Sequence, residues 1–138
     1  MSNAVIFVDT FHWIAEINVR DEWHNQCKAA RLALRDRPLV TSEEVLSEVL
    51  DFLSGFGPLM GSAAALTVSA ILQDAEVQVI PQSHETFLGA LEFYRARPDK
   101  RYSLTDCSSM ALMSEHEIRN LLTHDHHFTQ VGFRTLIE

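Results

Sequence analysis

The sequence predicts an α/β fold with a mostly parallel central sheet flanked by helices, and three observations lead to this prediction. Short apolar runs of strand length alternate with longer segments of helical period along the 138 residues. The first run, Val5–Val8, contains no polar residue, which is typical of a parallel strand covered on both faces. No repeat, linker or low-complexity segment interrupts the alternation. One domain is therefore expected over residues 1–138.

The first half of the chain is predicted to combine two strands with three helices. The helices are indicated by apolar residues at helical spacing, and the strands by short apolar runs. The helix after the second strand opens with a capping box, in which Thr41 is the N-cap and Glu44 lies three residues on. In order, the predicted elements are Val5–Val8, Asp21–Arg35, Pro38–Val40, a helix that follows Thr41, and Gly61–Leu72.

The second half continues the same alternation. The third strand is ended by Pro81, and a basic loop around Pro98 precedes the last helix. That helix opens with a second cap of the S-x-x-D form, made by Ser103 and Asp106. In order, the predicted elements are Glu76–Ile80, His84–Arg95, a helix from Ser103, Leu121–Thr123 and an edge strand Phe133–Ile137.

Three aspartates are placed where a parallel sheet binds ligands, beyond the carboxyl ends of its strands. Asp9 follows the first strand directly, Asp125 follows the fourth after His124, and Asp106 lies in the first turn of a helix. Carboxylates gathered in one cleft repel each other unless a cation joins them. Because the ligands are oxygens, Mg²⁺ or Mn²⁺ is the expected ion.

Each aspartate also has a local explanation. Asp106 serves its capping box, Asp9 can cap a helix that begins at Thr10, and Asp125 can cap the short turn after it. The explanation is weakest for Asp9, because a charge at the end of an all-apolar strand is costly to bury.

A glutamate one turn into the helix after the second strand is the fourth candidate. Glu44 has a capping role and Glu43 benefits from the helix dipole, so neither needs a functional explanation. Glu48 has no capping role and borders the apolar stripe. Glu48 is therefore the acid of this helix expected to face the site.

Four segments of the chain together resemble the motifs of the PIN-domain family, and in particular of its VapC toxins. The first is a strand followed by an acid, and the second is a helix whose last glutamate is functional. The third and fourth are longer and more specific, and all four occur in the family's order. The segments are Ile6–Thr10, Thr41–Val49, Tyr102–Ser109 and Leu122–Phe128, the last followed by Val131-Gly132-Phe133.

The resemblance implies a three-layer PIN-like fold and a metal-dependent endoribonuclease that acts on structured or translational RNA. It assigns Asp9, Glu48, Asp106 and Asp125 as catalytic, metal-binding acids. One or two ions would then activate a water for in-line attack on phosphorus. A carboxylate, with Asp106 as a candidate, would take the proton, although the sequence does not separate a base from a ligand. Thr10 and Thr123 lie next to or near these acids and are expected to support them through hydroxyl hydrogen bonds.

Two other interpretations compete with this one. The histidines His124, His126 and His127 around Asp125 suggest zinc, but no second zinc motif accompanies them. A histidine of this turn placed near phosphate is a secondary role. The alternative from another class is a catalytically silent PIN-fold module that binds RNA or a protein partner without cleavage.

The net charge of −8 argues against binding nucleic acid through bulk positive charge. The exception is a cluster just before the third motif, which is either a solvated loop or the path of the RNA. Its members are Arg95, Arg97, Lys100 and Arg101.

Partners and location follow mainly from the resemblance. Toxins of this type commonly form homodimers and bind a cognate antitoxin, for which Trp13, Trp23 and Phe56 are candidate contacts, although a role in core packing is the simpler explanation. No membrane-spanning run or signal peptide is evident, and Cys27 and Cys107 have no metal or redox spacing. A cytoplasmic protein with no membrane association is therefore expected.

Overall fold

The computed structural model describes residues 5–137, except for the side chain of His126, and shows an α/β fold with a parallel sheet. The predicted fold class is confirmed. In chain order the strands are β1 (Ile6–Val8), β2 (Leu39–Ser42), β3 (Val77–Ile80), β4 (Asn120–Leu122) and β5 (Arg134–Thr135). Across the sheet their order is β3-β2-β1-β4-β5, which places β1 at the centre.

Helices connect the strands. In chain order they are α1 (Thr10–Ile17), α2 (His24–Ala33), α3 (Glu43–Ser54), α4 (Pro58–Gln73), α5 (His84–Arg95) and α6 (Leu104–Glu115), and a 3₁₀ helix (His126–Val131) follows β4. Within residues 5–137, no helix has the length and apolar character needed to cross a membrane.

The central strand β1 fixes the position of the site. Ile6, Phe7 and Val8 are completely buried and belong to the main core, as an uninterrupted apolar run predicts. Val8 is in register with Leu122 of β4. The residues that follow these two strands therefore emerge side by side at the carboxyl edge of the sheet.

The start of α3 differs from the prediction by one residue. The N-cap is Ser42, whose Oγ accepts a hydrogen bond from the Val45 N–H at 3.1 Å. Thr41 is instead buried in β2, where its hydroxyl donates to the Val8 carbonyl and accepts from the indole of Trp13. The predicted Thr41–Glu44 capping box was wrong because the strand continues through Ser42 and uses the threonine hydroxyl inside the core.

Two other helix boundaries also move for local reasons. α2 begins at His24 rather than Asp21, because the Asp21 carboxylate accepts from the Trp23 N–H in a turn before the helix. α4 begins at Pro58 rather than Gly61, since proline is well suited to the first helical position.

Candidate metal centre

Asp9 lies at the middle of the carboxyl edge of the sheet and is only 1% exposed. It occupies the N-cap position of α1, yet its side chain makes no capping hydrogen bond. Its Oδ2 accepts instead from the hydroxyl of Thr123 at 3.1 Å. The Asp9 carboxylate is therefore buried without making the usual N-cap hydrogen bond to α1.

Thr123 connects two of the acids. Besides donating to Asp9, its Oγ1 accepts from the main-chain N–H of Asp125 at 3.1 Å. Asp125 itself caps the 3₁₀ helix, with Oδ1 accepting from the His127 N–H at 2.9 Å. The local capping role expected for Asp125 is thus present, and Thr123 fixes this turn beside Asp9.

Asp106 also combines a capping contact with a position near the other acids. Its Oδ2 accepts from the Ser103 N–H, and its own N–H donates to Ser103 Oγ, which completes the predicted capping box. Its side chain is largely buried, and its pKa is raised by that burial and by the charges of Asp125 and Glu48, against the opposing hydrogen bonds from Ser103. Even with these hydrogen bonds, burial and the neighbouring acids disfavour the charged form of Asp106.

The buried position of Asp9 has the largest electrostatic consequence. Burial raises its pKa from 3.8 to about 7, together with the charge of Asp106 and a smaller contribution from Glu48. The N–H of Thr10 and the hydroxyl of Thr123 act in the opposite direction by hydrogen bonding to the carboxylate. Asp9, Glu48, Asp106 and Asp125 are thus electrostatically linked at one edge of the sheet.

A histidine that is not among the predicted site acids joins this group. Asp106, Asp125 and His127 each offer a ligand atom, and these atoms all lie within 4.8 Å of one another. Nδ1 of His127 is 3.1 Å from Asp125 Oδ1. Two carboxylates and one imidazole form a donor set suited to a divalent cation. The Asp-His-His turn is visible in the sequence, but spacing alone does not select the histidine that faces the acids.

The other histidines do not support a three-histidine zinc site within the described residues. The ring of His124 stacks on Trp23 with centroids 4.4 Å apart, and burial lowers its pKa. The side chain of His126 lies outside the described part of the structure. The donors brought together are therefore mainly oxygens.

Comparison with known proteins identifies the family. A family model described as the PIN domain matches residues 6–134. The chain belongs to the PIN-domain family. It is 32% identical over 130 residues to the 23S rRNA-specific endonuclease VapC20 of Mycobacterium tuberculosis, in strain CDC 1551 and in strain H37Rv, covering 94% of this chain and 95% of each relative.

Solved structures agree with this PIN-domain assignment. The crystal structure of M. tuberculosis VapC20, described as a Sarcin-Ricin loop cleaving toxin, matches with a TM-score of 0.82 and 29% identity, covering 93% of this chain and 95% of that one. VapBC2 from Rickettsia felis, bound to a promoter DNA fragment, matches with a TM-score of 0.65 and 12% identity, covering 95% and 96%. The second match supports the fold alone.

In this PIN domain the predicted basic residues directly precede α6, the helix that carries Asp106. Arg97 packs over the ring of Phe93, while Arg95, Lys100 and Arg101 are exposed. Arg95, Arg97 and Lys100 contribute to a pocket of about 320 Å³. Tyr102, which also lines the pocket, is buried and donates from its hydroxyl to Gln130. The pocket thus borders the helix that carries Asp106, since Cys107 of that helix also lines it.

Four further residues that the sequence singled out have well-defined positions. Thr10 is buried, and its hydroxyl has no hydrogen-bond partner among the described residues. Trp13 is a core residue, Trp23 is half-buried against His124, and Phe56 is 56% exposed. Of the three residues considered as partner contacts, Phe56 alone is more than half exposed.

Proposed function

We propose that this PIN domain is a metal-dependent endoribonuclease and the toxin of a toxin–antitoxin pair. The observation that carries the proposal is the buried Asp9 carboxylate, held by Thr123 at the carboxyl edge of the sheet and electrostatically coupled to other acids that raise its pKa. Such a group is stabilised by a cation and not by any basic side chain described beside it. The name of the M. tuberculosis relatives supports structured ribosomal RNA as the substrate class.

Mg²⁺ or Mn²⁺ is the proposed cofactor, because both ions prefer the oxygen donors that dominate the site. Asp9, Glu48, Asp106 and Asp125 are the proposed ligands, and His127 is a further one. When bound, a divalent cation supplies positive charge that activates water and stabilises the phosphate oxygens during hydrolysis.

The protein's own contribution is to hold these acids in place before RNA arrives. Thr123 fixes the Asp9 carboxylate and the turn of Asp125 at the same time. The capping box with Ser103 fixes Asp106 in the first turn of α6. This preorganisation orients the reacting groups without further rearrangement.

Incubation of the protein with total RNA tests the proposed activity. We expect cleavage with Mn²⁺ or Mg²⁺ and loss of cleavage when EDTA is in excess, because the acids alone cannot stabilise the phosphate. Recovery after adding back the ion would exclude unfolding by the chelator. Tight RNA binding without cleavage in the presence of either ion would instead indicate a silent binding module.

The basic residues at the end of α5 and in the loop before α6 form the proposed path of the RNA. Arg95→Glu combined with Lys100→Glu should weaken RNA binding and reduce the slope of log affinity against log salt by about 0.7 for each phosphate that the protein no longer neutralises. Lys28→Glu combined with Arg35→Glu, two exposed positions on and just after α2, provides the same change in charge elsewhere. Equal slopes for both double variants would show that RNA enters by another route.

A cognate antitoxin and a second copy of the chain are the proposed protein partners, as in other VapC-type toxins. Several large apolar side chains of α3, α4 and the turn between them are exposed, and they offer a surface of the required character. They are Phe52, Phe56, Leu59 and Leu66. Because the proposed substrate is ribosomal RNA, the proposed location is the cytoplasm.

A further inference from the structure

A cavity of about 300 Å³ borders the helices that carry Glu48 and Asp106, and none of the proposed metal ligands lines it. Its walls come from the first turn of α3, the segment after β3, and parts of α5 and α6. Two of its residues are close in sequence to proposed metal ligands, since Glu44 lies one helical turn before Glu48 and Thr105 directly precedes Asp106. A ligand in this cavity would therefore contact the same two helices that carry these proposed metal ligands.

Glu44 gives the cavity its chemical character. Its Oε2 accepts from the hydroxyl of Ser108 at 3.1 Å, a contact that joins α3 to α6. Its Oε1 is buried and has no hydrogen-bond partner among the described residues. Buried acceptors are rarely left without a donor, so Glu44 can accept a hydrogen bond from a ligand whose entry opens access to Oε1.

The remaining wall is suited to a flat ring. Phe87 of α5 is 50% exposed and Leu104 of α6 is 40% exposed, and both line the cavity together with the small side chain of Ala90. Exposed apolar side chains next to an unpaired acceptor are the elements from which proteins build sites for unstacked bases.

We propose that this cavity binds an unpaired guanine of the RNA beside the cleaved phosphate, an inference that rests on the proposed ribonuclease function. Guanine presents two donors, N1–H and the N2 amino group, on one edge, and a carboxylate accepts both as a pair. Adenine and cytosine present one amino group beside a ring acceptor, which a carboxylate repels. Uracil presents a single N–H between two carbonyls. Glu44 is thus the specificity-determining residue for guanine.

An arginine side chain of a protein partner offers a similar pair of donors. The position of the cavity favours RNA, because Thr105 and Glu44 lie on the same two helices as Asp106 and Glu48. In this proposal, a nucleotide held at the metal centre by its phosphate places its base in this neighbouring cavity.

Binding of single-stranded RNA pentamers tests the proposal. The probes are five uridines in which the central base is replaced by guanine, inosine, adenine or cytosine, measured with Asp106→Asn protein so that no cleavage occurs. We expect guanine to bind about tenfold or more tightly than inosine, which lacks the N2 amino group. Adding Glu44→Gln should remove this preference while keeping the Ser108 contact. Glu43→Gln replaces a carboxylate that does not line the cavity, and a glutamine oxygen can still accept from the Gln82 N–H of the wall, so the preference should be unchanged.

A second variant tests the contribution of stacking on Phe87 separately from that of the Glu44 carboxylate. Phe87→Ala removes an exposed ring and should weaken all the pentamers by about fivefold or more, without changing their order. Equal affinity for guanine and inosine, or a guanine preference that survives Glu44→Gln, would overturn the proposal. So would competition by N-acetylarginine amide that depends on Glu44 and exceeds that of GMP, since the cavity would then belong to a protein partner.

The two proposals can fail separately. Metal-dependent cleavage by the parent protein together with equal binding of guanine and inosine would contradict the proposed guanine site and support the proposed ribonuclease function. Guanine-selective binding that requires Glu44, with no cleavage in the presence of any metal ion, would contradict the proposed ribonuclease function and support the proposed guanine site.

Discussion

Asp9→Asn is expected to abolish RNA cleavage and, at the same time, to stabilise the metal-free protein. Activity should fall by at least about a thousandfold, because removal of one ligand charge costs several kcal/mol of transition-state stabilisation. Stability should rise, since the parent protein buries a carboxylate that burial, Asp106 and Glu48 all disfavour in its charged form. Asparagine can still accept the hydrogen bond from Thr123.

The sign of the pH dependence follows from the raised pKa. Asp9 has a pKa of about 7 when folded and an ordinary value of 3.8, so between these values the folded state binds more protons than the unfolded state. Metal-free stability therefore falls as pH rises from about 4 to about 7. About three pKa units correspond to about 4 kcal/mol, which is the upper limit of the stabilisation by Asp9→Asn at about pH 8. Below about pH 4 the advantage should vanish.

Urea unfolding in EDTA at several pH values measures this effect. Asp51→Asn is the matched control, because Asp51 is an exposed acid of α3 and its replacement should change stability little at any pH. Added Mn²⁺ should raise the urea midpoint of the parent and not that of Asp9→Asn. A variant that is less stable than its parent at alkaline pH, or that still binds Mn²⁺ as tightly, would exclude Asp9 as the central acid.

The arrangement around β1 could be predicted because it depends on local sequence and on the rules of parallel sheets. An uninterrupted apolar strand must be central, and an acid at its end must lie at the carboxyl edge. The capping box of Ser103 and Asp106 was equally readable, because both partners lie within four residues of each other. The family match confirms the fold that these features predicted.

Contacts between distant segments could not be predicted in the same way. The sequence indicates a capping role for Glu44, but the structure pairs it with Ser108, which is 64 residues away. Thr41 is a residue type that is common at N-caps, but it lies in the core, where its hydroxyl accepts a hydrogen bond from Trp13 instead. The selection of His127 as a candidate ligand depends on the orientation of the turn after β4, which Asp125 and Thr123 fix. In each case the tertiary neighbour, which the local pattern does not contain, determines the role.

Asp106 permits a direct separation of capping from catalysis, and its substitution is the second change with a large expected effect. Asp106→Asn keeps an oxygen that can accept from the Ser103 N–H, so helix α6 should remain capped. The charge that faces Asp125 and Glu48 is removed, and we expect cleavage to fall by at least about a thousandfold. The free energy of unfolding in EDTA should be unchanged or higher, because the removed charge was buried among like charges.

Ser103→Ala makes the complementary change. It removes the side chain that accepts from the Asp106 N–H, and the absence of this N-cap should cost about 1 kcal/mol of stability. The Asp106 carboxylate keeps its charge and its position in the first turn, so cleavage of RNA by the folded protein should fall by less than about tenfold. Kinetics and urea midpoints of both variants, measured side by side, distinguish the roles. If Asp106→Asn cleaved RNA like the parent and Ser103→Ala did not, the contribution of Asp106 would be that of a helix cap, and the metal centre would have to be built without it.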